Sequence, residues 1–423
     1  MMRRLRTAHL GSSASRLTQR LDMLLTPQRV RVYPLILFLG FGIALVISWF
    51  VASGRLPLPD FAARWTAGRM LLDGADDLYS PAAQARVQTQ LLGATSLSWF
   101  VSPPFVAVMF VPFALLPYPV ACVVWTLISA AALALALRIS LAILPSGDRP
   151  RALVIAVPMV GSYPVLELLG GGQDSSLVLL FVVASLRWLA NGRAVSAGLV
   201  FALGLMKPQL IFMAPIALLL LRQWRAIGSF LIGAVVLVAI GIAAVGLPQN
   251  LAWLDISTSP LYAEAVQRGQ AWKSVSVPGW LLSALPPDVG HWGELLAYAA
   301  GVVLVLVSIA SLSRGRPSAS QLWAFAGLTT AIASPHFMVY DLVLIFPAVL
   351  VLMEHLWSAD TRVLLAAAFV LLWLVAPLHV LTTSLPWPLT LIGAPWTAGV
   401  LLTLWIRFRR HCVGERPPLQ QTV

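Results

Sequence analysis

Residues 35–61 read LILFLGFGIALVISWFVASGRLPLPDF. From Leu35 to about Ser53 the run is apolar, long enough at 1.5 Å rise per residue to cross a bilayer's hydrocarbon. A few residues beyond stands Pro59-Asp60-Phe61. A carboxylate beside a membrane surface is costly unless something needs it there. No small-residue cleavage site follows, so the run is expected to be a retained span rather than a signal peptide. Apolar runs recur along the chain, near 105–116, 120–144, 152–169, 175–189, 227–245, 295–312, 322–334, 342–353, 363–378 and 391–408. The chain is 59% hydrophobic and 10% charged, whereas soluble domains carry about 25% charge. These features specify an all-α, polytopic transmembrane helical bundle, with 10 to 13 apolar elements depending on how the short ones are scored.

The charges order the bundle. The net charge is +12, and the chain holds two lysines, Lys207 and Lys273, against 26 arginines. The arginines cluster between apolar runs, as the positive-inside rule requires, and place both termini in the cytoplasm. No long basic tract or zinc-finger spacing supports a nucleic-acid partner. Cys122 and Cys412 are too few and too distant for a disulfide scaffold or zinc site. Residues 1–31 form a basic N-terminal segment, either an amphipathic surface helix or a disordered tail. Residues 32–410 form the membrane domain and 411–423 a cytoplasmic tail.

Two long loops face the other side, about 54–100 and 246–290. In the first, Phe61, Trp65, Gly68 and Leu72 recur at helical spacing, and Trp65 and Trp99 suit the membrane interface. The second is rich in Pro, Ser and Trp, including Trp272. The run 194–221 has arginines at both ends and Lys207-Pro208 in its middle, which predicts two half-helices around a break. Under this topology Asp60, Glu167, Gln173-Asp174, Lys207, Lys273, and His336 with Asp341 gather on the outer side. Cations there suit a phosphate, and a carboxylate suits proton removal from a hydroxyl nucleophile. Plainer roles stand beside these: Asp60 and Asp174 as helix caps, Asp341 as a cap or ion-pair partner, Lys207 as a snorkelling lysine, and His336 as an interfacial hydrogen-bonder.

Five short motifs occur in order: Pro59-Asp60-Phe61 with Ala67-Gly68 and Leu78-Tyr79-Ser80-Pro81; Ser102-Pro103-Pro104-Phe105; Gly172-Gln173-Asp174; Lys207-Pro208-Gln209 with Arg222-Gln223-Trp224-Arg225; and Ser334-Pro335-His336 with Tyr340-Asp341. Over roughly residues 55–345 this pattern resembles the family 87 glycosyltransferases, polyprenyl-phosphate-dependent membrane enzymes of the GT-C fold. Many relatives have Asn where this chain has Asp174, so that carboxylate's role stays open. The resemblance implies a sugar transfer from a polyprenyl-phosphate donor to a lipid or glycan acceptor, inverting, without metal or cofactor, on the outer face of a bacterial inner membrane. It implies Asp60 as catalytic base, His336 and Lys207 as donor-phosphate contacts, and Tyr340 and Asp341 as pocket-lining or structural residues; beside it, Gln173, Asp174, Lys273 and Trp272 stand as candidates for substrate contact. A lipid-phosphate transporter and a non-catalytic assembly subunit are the competing expectations.

Overall fold

The computed structural model describes residues 16–51, 56–74, 77–94, 96–143, 149–257, 259, 262, 268–286, 289–315, 317–356 and 358–414. Asp76, the start of the N-terminal segment and residues 415–423 of the C-terminal tail lie outside this set. The described residues form an all-helical polytopic bundle. Five of its helices are long and apolar enough to span a membrane: Pro27–Ser48, Tyr118–Ile143, Trp224–Ser257, Trp292–Arg314 and Ala359–Thr382. A sixth crossing would be the pair Tyr163–Gly171 and Ser175–Ala190, bent by 116°. Shorter apolar helices, among them Pro104–Ala114 and Ala194–Leu203, pack between them.

Proline sets where many of these helices begin. Pro59, Pro81 and Pro104 each open one, and Pro164, Pro278 and Pro347 stand in the first turn of three more. The missing amide proton costs nothing there, because first-turn N–H groups have no partner within the helix. Ser80, Ser276, Ser318 and Ser358 cap their helices through side-chain oxygens.

Several expected boundaries move. The run 152–169 is two helices, Arg149–Val160 and Tyr163–Gly171, because Pro158 and Pro164 flank an extended Ser162. The last helix starts at Thr397 instead of near 391, after a short turn of 3₁₀ helix at Leu389–Gly393. The run 194–221 is broken as its Lys207-Pro208 predicts. Helix Ala194–Leu203 passes through 3₁₀ turns at Gly204–Met206 and Pro208–Leu210 into Met213–Leu220.

The two loops fold onto the bundle as structured layers. The first carries helix Pro59–Leu72, two residues longer than its periodicity suggests, and a second helix, Pro81–Leu92. Trp65 is buried, not interfacial: it packs edge-on against Tyr118 and its indole N–H donates to the Leu116 carbonyl. Gly68 lets helix Pro59–Leu72 lie against Pro104–Ala114, since a Cβ there would come 2.8 Å from the Phe110 carbonyl oxygen. Beneath, Phe61 stacks on Trp125 (5.5 Å between centroids, 17°) among Phe110, Phe113 and Tyr118. The second loop begins where the long helix from Trp224 breaks at Gly246, whose φ of 76° favours glycine. It then reaches the first loop through Gln249, which accepts from the Leu78 amide, and Trp253, which donates to the Val101 carbonyl. Its far end pairs with the turn after helix Ala319–Ala333: the Val275 amide donates to the Phe337 carbonyl, and Ser274 bridges Met338.

Candidate active site

Asp60 lies in the first turn of its helix, but Leu58 occupies the cap position and the Asp60 carboxylate does not cap. It accepts a 2.6 Å hydrogen bond from Gln173 Nε2 and a longer one, 3.4 Å, from Ser98 Oγ. Gln173 is placed by the sharp bend between helices Tyr163–Gly171 and Ser175–Ala190. At that bend Gly172 adopts φ +73° and hands its carbonyl to the Trp125 indole. No side chain fits there, because a Cβ would lie 2.7 Å from Phe61 Cβ and 2.8 Å from Leu58 Cβ. The bend is thus packed directly against the helix that carries Asp60.

Behind Asp60 sits a buried charge quartet. Arg64 Nη1 donates to the Asp60 backbone carbonyl, and its Nε donates to Asp174 Oδ2 at 2.7 Å. Lys207 Nζ stands 2.9 Å from Asp174 Oδ1, off the best hydrogen-bonding direction, and 3.3 Å from Asp341 Oδ1. The ammonium also donates to Gln173 Oε1 at 2.9 Å and Ser175 Oγ at 3.0 Å, with the Tyr340 ring 5.0 Å away. Ser175 donates to Asp341, whose other oxygen accepts the Met338 amide at 3.0 Å. Asp174 therefore faces two cations and does not cap its helix. Asp341 is both a cap and an ion-pair partner. Two cations and two carboxylates balance to neutrality, which is the condition for holding charge away from water.

This network joins segments far apart in the chain: Asp60 to Gln173, Gln173 to Lys207, Lys207 to Asp341, and Asp341 to the turn bearing His336. The His336 Nδ1 is buried and makes no hydrogen bond among the described residues. Burial holds the imidazole down at about 4, against an opposing pull from Asp341 and with a smaller push from Lys207, so the ring is neutral near pH 7.

Asp60 differs from the quartet in being unbalanced. Burial raises its pKa above the ordinary aspartate value, and Arg64, Lys273, the Gln173 hydrogen bond and Lys207 oppose the rise. Its residue surface is nevertheless only half-buried. A carboxyl group enclosed by protein yet reachable by solvent is suited to taking a proton from a bound hydroxyl.

Lys273 and Trp272 stand beside Glu167 of helix Tyr163–Gly171. Lys273 Nζ is 3.2 Å from Glu167 Oε2, and Glu167 Oε1 accepts from the Tyr163 hydroxyl at 2.6 Å. Trp272 stacks flat on His379, 4.2 Å between centroids and 2° between planes. Arg64, Ser98 and Ser175 escape the sequence-level candidates. Arg64 could have been found by its i, i+4 spacing from Asp60 within an apolar helix. Ser98 carries no such signal.

The family model for glycosyltransferase family 87 matches residues 100–335. Gln173, Asp174, Lys207, Trp272 and Lys273 lie within that stretch; Asp60 lies before it, and His336, Tyr340 and Asp341 just after it. No curated protein and no solved structure matches the chain. The family match covers more than half of the 423 residues, and the chain belongs to glycosyltransferase family 87.

Proposed function

We propose that this membrane glycosyltransferase moves a hexose or pentose from a polyprenyl-phosphate donor to a lipid or glycan acceptor, with inversion and without a metal, in a GT-C-type fold. The reaction runs on the extracytoplasmic face of a bacterial inner membrane. Asp60 is the base. It takes the proton of the acceptor hydroxyl as that oxygen attacks the anomeric carbon, and the bond from that carbon to the phosphate oxygen breaks. Polyprenyl phosphate leaves with the electron pair. One base suffices for such a displacement when the leaving group is already a phosphate.

The observation that carries this reading is the state of Asp60: enclosed, half-open to solvent, raised in pKa, and oriented by Gln173. Of the two groups expected at the donor phosphate, His336 offers an unpartnered ring nitrogen, so we assign it to the phosphate as a neutral hydrogen-bond donor. Lys207 already spans two carboxylates, so we assign it to holding Gln173 and the quartet in place. Asp174, Tyr340 and Asp341 act with it as the wall behind the base.

The broken helices around Lys207-Pro208 and the 116° bend also suit a lipid-phosphate transporter. One experiment separates the two. Purified protein is reconstituted with radiolabelled polyprenyl-phosphate sugars and membrane lipid extract, and wild type is compared with Asp60→Asn. Transfer that is lost in Asp60→Asn supports the base assignment; transfer that survives unchanged sinks it. Donor translocation without transfer in wild type would establish the transporter, and neither activity with any donor would favour an assembly subunit.

A further inference from the structure

Lys273 and Glu167 form the ion pair that lies nearest Asp60 without belonging to the quartet. Their side chains are 28% and 25% exposed, against 9% or less for the four members of the quartet. Glu167 and Gly171 are four residues apart on one helix, so they share a face about one 5.4 Å turn apart. A Cβ on Gly171 would stand 3.0 Å from Asp60 Oδ2. Lys273 therefore pairs with the helix face that Asp60 meets, and after Arg64 it is the cation that most strongly opposes the rise in Asp60's pKa.

On its other side Lys273 Nζ lies 5.1 Å over the Trp272 ring. Trp272 stacks on His379, which belongs to the spanning helix Ala359–Thr382. The next two residues of that helix, Val380 and Leu381, are 73% and 70% exposed. Moving outward from Asp60, the order is carboxylate, ammonium, flat ring stack, apolar surface of a spanning helix. A lipid-linked sugar presents its parts in the same order: reacting carbon, phosphate, first isoprene units, membrane-embedded chain.

We propose that Lys273 is the cation that receives the donor phosphate, displacing Glu167, its partner in the unliganded protein, and that the Trp272–His379 stack marks where the polyprenyl chain turns into the bilayer. This rests on the lipid-phosphate reading given above. The two lysines divide the labour by their surroundings. Lys207 cannot turn to a phosphate without leaving buried Asp341 with no cation and buried Asp174 with Arg64 alone. Lys273 leaves one carboxylate that still keeps its hydrogen bond from Tyr163 and its contact with solvent. The donor is a phosphodiester with one negative charge and the product a phosphomonoester with up to two, so an ammonium at this point stabilises charge that builds as the bond breaks.

The test is direct binding of a short-chain polyprenyl phosphate to the purified protein in detergent, with the matching uncharged polyprenol as control. Wild type should prefer the phosphate. Lys273→Met should weaken phosphate binding about tenfold or more, the size of a lost charge-assisted hydrogen bond, and leave polyprenol binding unchanged. Lys273→Arg should retain most of the affinity. Glu167→Gln, which frees the ammonium, should tighten it severalfold and also lower the donor KM. If wild type prefers the phosphate but Lys273→Met binds it equally well, the Lys273 assignment falls and the lipid-phosphate reading stands. If Lys273→Met melts early, Glu167→Gln decides, and an unchanged or weaker affinity there overturns the displacement. A wild type that does not distinguish phosphate from polyprenol overturns both proposals.

Discussion

Two charge clusters flank Asp60, and they are built on opposite principles. Arg64, Asp174, Lys207 and Asp341 form a closed set: each cation meets a carboxylate within 3.3 Å, and the remaining polar atoms go to Gln173, Ser175 and backbone groups. Lys273 and Glu167 form an open pair on the rim, partly solvated and satisfied by one another and by Tyr163. The charge pattern carries the same expectation for both lysines, an outer position, and does not tell which of them is free to meet a ligand. Burial does. A closed buried set is costly to break from one side, whereas a solvated pair exchanges partners at little cost. Burial thus suits the first cluster to rigidity and the second to exchanging a partner.

The largest expected effect lies between the clusters. Asp60→Asn should lower sugar transfer by about 10²- to 10⁴-fold, the usual contribution of a positioned base, with little change in thermal melting. A variant that loses transfer only by unfolding would return Asp60 to a structural role. Next comes the contrast itself. Asp174→Asn leaves buried Arg64 without its ion-pair partner and Lys207 with Asp341 alone, and should destabilise the protein by about 3–5 kcal/mol, while Lys273→Met should stay within about 1 kcal/mol in the same melting series. Equal losses would erase the distinction between closed and open clusters.

A smaller effect is expected at the bend that joins them. Gly172→Ala must place a methyl group against Leu58 and Phe61 at a positive φ, at a cost of about 1–3 kcal/mol, and should also reduce turnover by shifting Gln173 relative to Asp60. The subtlest effect is on pH dependence. As the proposed base Asp60 would work as the carboxylate, and burial holds its pKa above the usual range, so the acid limb of kcat/KM should lie above ordinary aspartate values. The Gln173 hydrogen bond favours the ionised form. Gln173→Leu should therefore move that limb to higher pH, and a shift to lower pH would mean that Gln173 does not stabilise the carboxylate.

Much of this architecture was legible in the chain. The helix after Pro59 and the break at Lys207-Pro208 follow from periodicity and from proline's missing donor, which act within a few residues. Helix Pro81–Leu92 was not legible. Its Gln84 and Gln88 look like solvent-facing residues, yet both are buried: Gln84 takes the Phe100 amide and the Leu78 carbonyl, and Gln88 pairs with Ser98. Glutamine that satisfies an irregular backbone elsewhere in the loop has no local signature. Trp65 misled for a similar reason, since an indole with an N–H to place suits both an interface and a buried carbonyl.

The sequence by itself determined the membrane class, the all-helical architecture, the family motifs and the candidate carboxylate, because hydropathy and helix breaking are set over short stretches. Only the tertiary structure decided which charges were already spent. Asp60 meets Gln173 across 113 residues, and Lys207 meets Asp341 across 134. Hydrogen bonds and ion pairs act over a few ångströms of space, and the bend at Gly172 and the broken helices bring those atoms together.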